Sequence, residues 1–150
     1  MCLFVDSKKV RVAKKNMVCY KVMVEYSGDN GRWMSPYQGM TYKEGHAYEL
    51  GEQLQLLDGS KIIKRYSYMV EKGFHSFTNV SDALYFLNEF GARYPRPNPN
   101  RAPDASLYVI VKCVIPEGTE YVEGLFTDRY NTFPSFCSEK IICEGKIKNE

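Results

Sequence analysis

The side chains best suited to chemistry are spread along this 150-residue chain and form no recognisable catalytic motif. His75 has no serine or cysteine at a spacing diagnostic of nucleophilic catalysis. The chain contains neither a P-loop nor a glycine fingerprint for dinucleotides. The five cysteines include no Cys-x-x-Cys pair, and the two histidines, His46 and His75, lie far apart in sequence. Structural zinc sites draw their ligands from closely spaced Cys and His pairs, so the sequence predicts no metal site.

Three glutamates, Glu117, Glu120 and Glu123, surround a predicted turn and short strand. Two carboxylates held together can exchange protons as a general acid and a general base. Glutamates near a turn are more often simply exposed to water, because an ionised carboxylate is costly to bury. We therefore favour a solvated role for this cluster.

Tyrosine and phenylalanine are unusually frequent, with 12 Tyr and 8 Phe against one Trp. Both residue types favour the half-buried, pleated surface of a β-sheet, while tyrosine-rich surfaces also suit ligand or protein binding. The net charge of +2 is too small to indicate a nucleic-acid partner. No signal peptide is visible and no segment approaches the ~18 apolar residues of a membrane helix. We therefore expect a cytoplasmic protein without a membrane partner.

One segment near the N-terminus is locally basic. Its valines, Val10 and Val12, alternate with charged residues, which is typical of an exposed edge strand protected by lysines. The alternative interpretation is an electrostatic docking patch for a partner, and we favour the edge strand. The basic residues of this segment are Lys8, Lys9, Arg11, Lys14 and Lys15.

The elements that would position these residues are organised around a stretch that begins at Gly73. Phe74 to Phe77 is expected to form a short strand, followed by the one convincing helix, from about Val80 to Phe90. Asn79 is the predicted N-cap, and Gly91 is a candidate for the C-terminal end of the helix. One apolar stripe should pack on a sheet, because its members recur at helical spacing: Val80, Ala83, Leu84 and Leu87.

Five further segments have the character of strands, whereas residues 40–50, 92–106 and 125–137 are predicted to be irregular or loops. The fold predicted from these elements is a single α+β domain over residues 1–150, with a largely antiparallel, twisted sheet and one principal helix. Cys19 and Cys113 lie in apolar runs and are interpreted as small core residues. The predicted strands are 17–26, 61–70, 107–115, 120–124 and 138–147.

The C-terminal half resembles the ADP-ribosyltransferase family. Gly73-Phe-His-Ser-Phe-Thr, followed by Ser81-Asp-Ala-Leu-Tyr, is similar to the family's second conserved block, a glycine and short aromatic strand before a helix. Val111 to Tyr121 resembles the next strand and its glycine-containing turn, and Ser138-Glu-Lys-Ile-Ile resembles the block with the catalytic glutamate. The Gly-Phe-His strand, late Pro-x-Gly turn and Tyr-rich N-terminal part also resemble small phage and bacterial domains of unknown function.

The resemblance implies sheets packed around a cleft that binds NAD or another nucleotide. Glu139 would accept a hydrogen bond from a ribose hydroxyl and stabilise the oxocarbenium-like transition state as nicotinamide leaves. That role needs a carboxylate close to developing positive charge. His75 stands where the family has a tyrosine that stacks on nicotinamide, and is the second implied catalytic residue. The residues implied to line the cofactor are Tyr20, Tyr37, Phe77 and Tyr85.

Two other functional classes remain open at this stage. The chain is also compatible with a non-catalytic protein-interaction domain of bacterial or phage origin, which would use the basic segment and the tyrosine-rich surface to bind a protein partner. A structural domain without a small ligand is the third class. Whether the protein is an enzyme is left open by the sequence.

Overall fold

The computed structural model describes eight parts of the chain, and these parts form thirteen strands and one helix. Every strand pairing among them is antiparallel. The predicted α+β class is therefore wrong, because the architecture is a β-sheet that carries a single helix and is closer to an all-β fold. The described residues are 3–5, 10–25, 31–35, 40–50, 55–58, 68–93, 107–127 and 131–147.

The helix α1 spans Val80–Arg93. The strands, in chain order, are β1 (Leu3–Val5), β2 (Arg11–Val12), β3 (Met17–Glu25), β4 (Arg32–Met34), β5 (Thr41–Lys43), β6 (Ala47–Glu49), β7 (Gln55–Asp58), β8 (Tyr68–Lys72), β9 (Phe74–Phe77), β10 (Leu107–Ile115), β11 (Glu120–Thr127), β12 (Thr132–Ser138) and β13 (Lys140–Lys146).

The main sheet runs in the order β6-β13-β10-β3-β9-β12-β11-β1-β8-β7 and must curl strongly. β12 ends at Ser138 and β13 begins at Lys140, yet β9, β3 and β10 lie between them in the sheet. In a flat sheet, four strand spacings would separate the two strands by about 19 Å. Glu139 alone can span no more than about 7 Å between the flanking Cα atoms. These five strands therefore bend around an enclosed interior.

The interior face of the curled strands carries the larger buried cluster. β3 contributes Cys19 and Met23 to this cluster. The two residues are four positions apart on one strand, an even number, so their side chains share a face. Trp33 of β4 and Tyr42 of β5 close over the same cluster. The other fully or nearly fully buried members are Ala13, Phe74, Val111, Cys113, Ile115, Phe136, Ile141 and Cys143.

The opposite face of the sheet is covered by α1. Ala83 and Phe86 of the helix are buried, and Leu87 packs beside them. The predicted apolar stripe is partly wrong, because Val80 and Leu84 are each 43% exposed. The sequence offers two overlapping stripes, and the one that contains Phe86 buries the larger side chain. The sheet residues that receive the helix are Tyr20, Val22, Phe77, Ile110, Phe126 and Phe133.

Predictions for the individual elements have mixed outcomes. The strands predicted at 17–26 and 107–115 are confirmed as β3 and β10, and the helix begins at Val80 as expected. It continues to Arg93, so Gly91 lies inside the helix and does not end it. The loop predicted over 125–137 is wrong, because β11 extends to Thr127 and β12 follows it. The predicted segments 61–67 and 94–106 lie outside the described residues.

Candidate functional site

His75 lies on the helix-facing side of the sheet, within a group of phenylalanines. Its ring is 5.3 Å from that of Phe77 and 5.4 Å from that of Phe126, both in edge-to-face geometry. Its Nε2 atom is buried and has no hydrogen-bond partner among the described residues. Burial lowers the pKa of His75 well below its usual value, and the positive charge of Lys21 lowers it further. The imidazole is therefore neutral at neutral pH.

Glu139 forms the corner between β12 and β13, and its polar atoms bind backbone groups. Its amide donates to the carbonyl oxygen of Glu120 at 3.1 Å, and its own carbonyl accepts from the amide of Leu50 at 2.7 Å. The carboxylate Oε1 accepts a further bond from the amide of Glu120 at 3.1 Å. This arrangement fastens the corner to β11, so the carboxylate has a structural task there.

The structure brings three of the residues implied by the resemblance onto one side of the sheet. Tyr20 and Phe77 are direct partners in the pairing of β3 with β9, and both belong to the helix-facing cluster together with neighbouring His75. The resemblance implied that the strand of His75 and the strand beginning at Ser138 lie on the two sides of a cleft. In the structure β9 and β13, the strands found in these segments, belong to one curled sheet and are separated in it by β3 and β10.

The remaining residues implied for the cofactor lie elsewhere. Tyr85 is exposed on α1, where its ring is 5.7 Å from that of Phe133 and its hydroxyl oxygen accepts a bond from Asn131 at 3.1 Å. Tyr37 lies outside the described residues. The carboxylate of Glu139 is engaged with the backbone at the β12–β13 corner, and Nε2 of His75 accepts no bond from any group in the described part of the chain.

Sequence reasoning missed a polar residue on the interior face. Lys21 lies between Cys19 and Met23 on β3, so its ammonium group points into the curled strands. It donates to the carbonyl oxygen of His75 and lies 5.5 Å from the centre of the Tyr42 ring. Burial acts to lower the pKa of Lys21, but its interactions with the phenol of Tyr42 and nearby thiols outweigh burial and raise it. The signal in the sequence was the charge that interrupts one apolar face of a strong strand.

Three thiols lie in a row across the same interior face. In the register of the sheet, Cys113 of β10 is opposite Cys19 of β3 on one side and Cys143 of β13 on the other. All three side chains are fully buried. The Sγ atoms of Cys113 and Cys143 are 3.5 Å apart, and the Cys113 thiol donates to that of Cys143. No group of three metal-binding side chains with the geometry of a metal site occurs among the described residues.

The basic segment includes an open sheet edge. β2 pairs with β11 through Val12 and Glu120, and no strand of the described residues pairs with its other side. Val12 is 55% exposed, and Lys14 and Lys15 are also exposed. Arg11 lies 3.8 Å from the carboxylate of Glu123 across the surface. Arg11 and Val12 therefore form an exposed strand at an edge of the described sheet, as predicted.

Comparisons with known proteins add no relative. No protein-family model matches the chain, and neither the curated proteins nor the solved structures contain a match. Among the described residues, α1 does not have the length and apolar character that a membrane crossing requires.

Proposed function

We propose that this chain is a non-catalytic protein-interaction domain whose β2 edge binds an extended, acidic segment of another protein. The observation that carries the proposal is the side of β2 that no described strand pairs with, together with exposed valines and lysines at that edge. An unpaired edge presents backbone N–H and C=O groups that can pair with an added strand.

The side chains around the edge supply the specificity. Val10 and Val12 are alternate residues that remain exposed, so they offer apolar contacts to one side of an added strand. Lys14 and Lys15 follow directly and favour a partner with negative charge. Because β2 contributes few backbone hydrogen bonds, charge attraction supplies much of the affinity, and binding should weaken as salt screens it.

The proposal can be tested with two short labelled peptides of equal length. One alternates valine with glutamate and the other alternates valine with lysine, and binding is followed by fluorescence anisotropy at low and high salt. We expect only the acidic peptide to bind, with affinity that falls at high salt. Lys14→Glu should weaken this binding by about 5–10-fold. Lys43→Glu, an equal charge change at an exposed residue of β5, is the matched control.

Two results would overturn the edge proposal. Equal binding of both peptides would show that charge does not select the ligand. Equal loss of affinity in Lys14→Glu and Lys43→Glu would show that net charge acts without a defined edge. Both variants change exposed side chains, so neither is expected to unfold the domain.

An ADP-ribosyltransferase-like domain that binds NAD or another nucleotide is the second hypothesis. It is supported by the grouping of Tyr20, His75 and Phe77 on one side of the sheet. NAD in excess should then raise the melting temperature, because a ligand that binds only the folded state stabilises it. Glu139→Gln keeps an oxygen that can accept from the Glu120 amide, but removes the negative charge that transfer would need. Nicotinamide release that is lost in this variant would support transfer, whereas absence of both effects would reject the hypothesis.

A further inference from the structure

We propose that Cys113 and Cys143 form a disulfide site, closed by a hydroperoxide and reopened by a thiol reductant, that joins β10 to β13 inside the curled sheet. The site is independent of the edge at β2. Its basis is the direct pairing of the two cysteines across neighbouring strands and the 3.5 Å contact between their sulfur atoms.

The backbone of the two strands already meets the requirement of a disulfide. Residues directly opposite each other in an antiparallel pair have Cα atoms about 4.5 or 5.5 Å apart, depending on their hydrogen bonding. Disulfides join Cα atoms about 4.4–6.8 Å apart. The direct pairing of Cys113 with Cys143 is compatible with this range, and bond formation would close their sulfur atoms from 3.5 Å to about 2 Å. A register shift between Lys112 and Cys113 interrupts regular pairing at this position.

Cys143 is the thiol best placed to react first. The hydrogen bond from Cys113 lowers the pKa of Cys143 against the effect of burial, and the Lys21 ammonium lowers it further. The same hydrogen bond and burial raise the pKa of Cys113. Cys143 is therefore the cysteine that more readily forms a thiolate, and Cys113 is the one that keeps its proton. Burial raises the pKa of Cys19 to about 12, which disfavours it as a competing nucleophile beside Cys113.

The reaction balances with hydrogen peroxide as the oxidant. The Cys143 thiolate attacks one peroxide oxygen, the O–O bond breaks, and the sulfur becomes a sulfenic acid while hydroxide leaves. Cys113 then gives its proton to this hydroxide, forming the first water, and its thiolate attacks the Cys143 sulfur, which forms the S–S bond and releases the sulfenic oxygen as a second hydroxide. That hydroxide takes up the proton that Cys143 lost in forming its thiolate and becomes the second water. Two thiols and one peroxide thus yield one disulfide and two waters. Both thiols are buried, so the reaction should be slower than that of free cysteine.

The bond would tie together two strands that are distant in sequence. It encloses residues 114–142, which include the β12–β13 corner, and so restricts the unfolded chain. A cross-link of this loop length should raise the melting temperature by about 5–10 °C, because the unfolded state loses entropy.

The test uses the full chain with Cys2→Ser, since Cys2 lies outside the described residues. The reduced protein is treated with hydrogen peroxide, remaining thiols are alkylated, and the protein is digested without reduction for mass spectrometry. We expect one linked pair of peptides that contains Cys113 and Cys143, a higher melting temperature, and reversal of both by dithiothreitol.

Two variants distinguish the pair from general oxidation. Cys143→Ser should abolish the linked peptide, whereas Cys137→Ser, which removes a buried thiol on the helix-facing side, should leave it intact. The peptide map of the parent protein needs neither variant, so a folding failure would not hide the result. A link from Cys113 to Cys19 would overturn the proposal. So would folded protein that keeps all its thiols after exposure to peroxide far longer than free cysteine needs for complete oxidation.

Discussion

Replacing His75 with phenylalanine should make the folded protein resist mild acid better than the natural chain does. The imidazole lies among phenylalanine rings, and within the described part of the chain its buried Nε2 has no hydrogen-bond partner. Protonation in the folded state would place an unpaired charge in this cluster, so the unfolded chain takes up the proton more readily. Acid therefore favours unfolding through this one side chain.

The size of the effect follows from the direction of the pKa shift. Burial, and then the charge of Lys21, lower the pKa of folded His75 well below the value of about 6.5 expected for the unfolded chain. Above pH ~6.5 both states are neutral at this site and stability does not depend on it. Below pH ~6.5 only the unfolded state binds the proton, so stability falls by about 1.4 kcal/mol per pH unit until the folded pKa is reached. At pH ~5 the loss is therefore at most about 2 kcal/mol.

Urea unfolding at constant ionic strength measures how much His75 contributes to the pH dependence of stability. The free energy of unfolding of the parent protein and of His75→Phe is determined at about pH 7, about pH 6 and about pH 5. The difference between the two proteins should change over this range in favour of the variant, by up to about 2 kcal/mol. Carboxylates titrate in both proteins and cancel in the difference. His46→Gln, at an exposed histidine, serves as the control and should follow the parent.

A constant difference between His75→Phe and the parent across this pH range would refute the reasoning. It would mean that folded His75 binds its proton as easily as the unfolded chain does, and so is not buried among the phenylalanines. The absolute stability of the variant at neutral pH does not enter the comparison, so imperfect packing of the new ring leaves the test valid.

Two further predictions concern the helix and the turns. Ala83→Leu should destabilise the protein by about 1–3 kcal/mol, because Ala83 is fully buried against the sheet. Leu84→Ala, at an exposed position, should change stability by less than about 0.5 kcal/mol. Equal effects of the two substitutions in urea unfolding would contradict the observed helix orientation. Gly31→Ala and Gly118→Ala should each cost about 1–2 kcal/mol, because both glycines have φ of +83°. An added Cβ at Gly31 would lie 2.8 Å from the carboxylate of Glu44, which can move away, while a Cβ at Gly118 would meet open space. Thermal unfolding should therefore show similar losses of stability for the two variants. A much larger loss for the Gly31 variant would show that Glu44 cannot move.

Local sequence was sufficient where one segment carries the whole signal. The strand at Met17–Glu25 was predicted because Val and Tyr recur at every second residue, and the strand at Leu107–Ile115 because it is almost continuously apolar. The start of α1 at Val80 was predicted from the polar residue before an apolar repeat, although the Asn79 side-chain amide is observed to donate to the carboxylate of Asp82.

Local sequence failed where the outcome depended on a distant partner. β12 contains Pro134 and two serines, which read as a loop, yet β11 and β9 pair on its two sides and supply its hydrogen bonds. The predicted helix face was also partly wrong, because Val80 and Leu84 are exposed while Ala83 and Phe86 are buried against the sheet. The sheet beneath selects the face that fits its phenylalanines.

The candidate sites also differ in whether local sequence or tertiary structure determined them. The alternating charges and valines near Val12 determined, by themselves, that this segment would be an exposed edge, since period-two alternation is a local property. The contact of Cys113 with Cys143, and the position of Lys21 beside the buried thiols, were decided only by the tertiary structure. Strand register brings together residues from three separate segments, and register is set by the pairing and packing of the entire sheet.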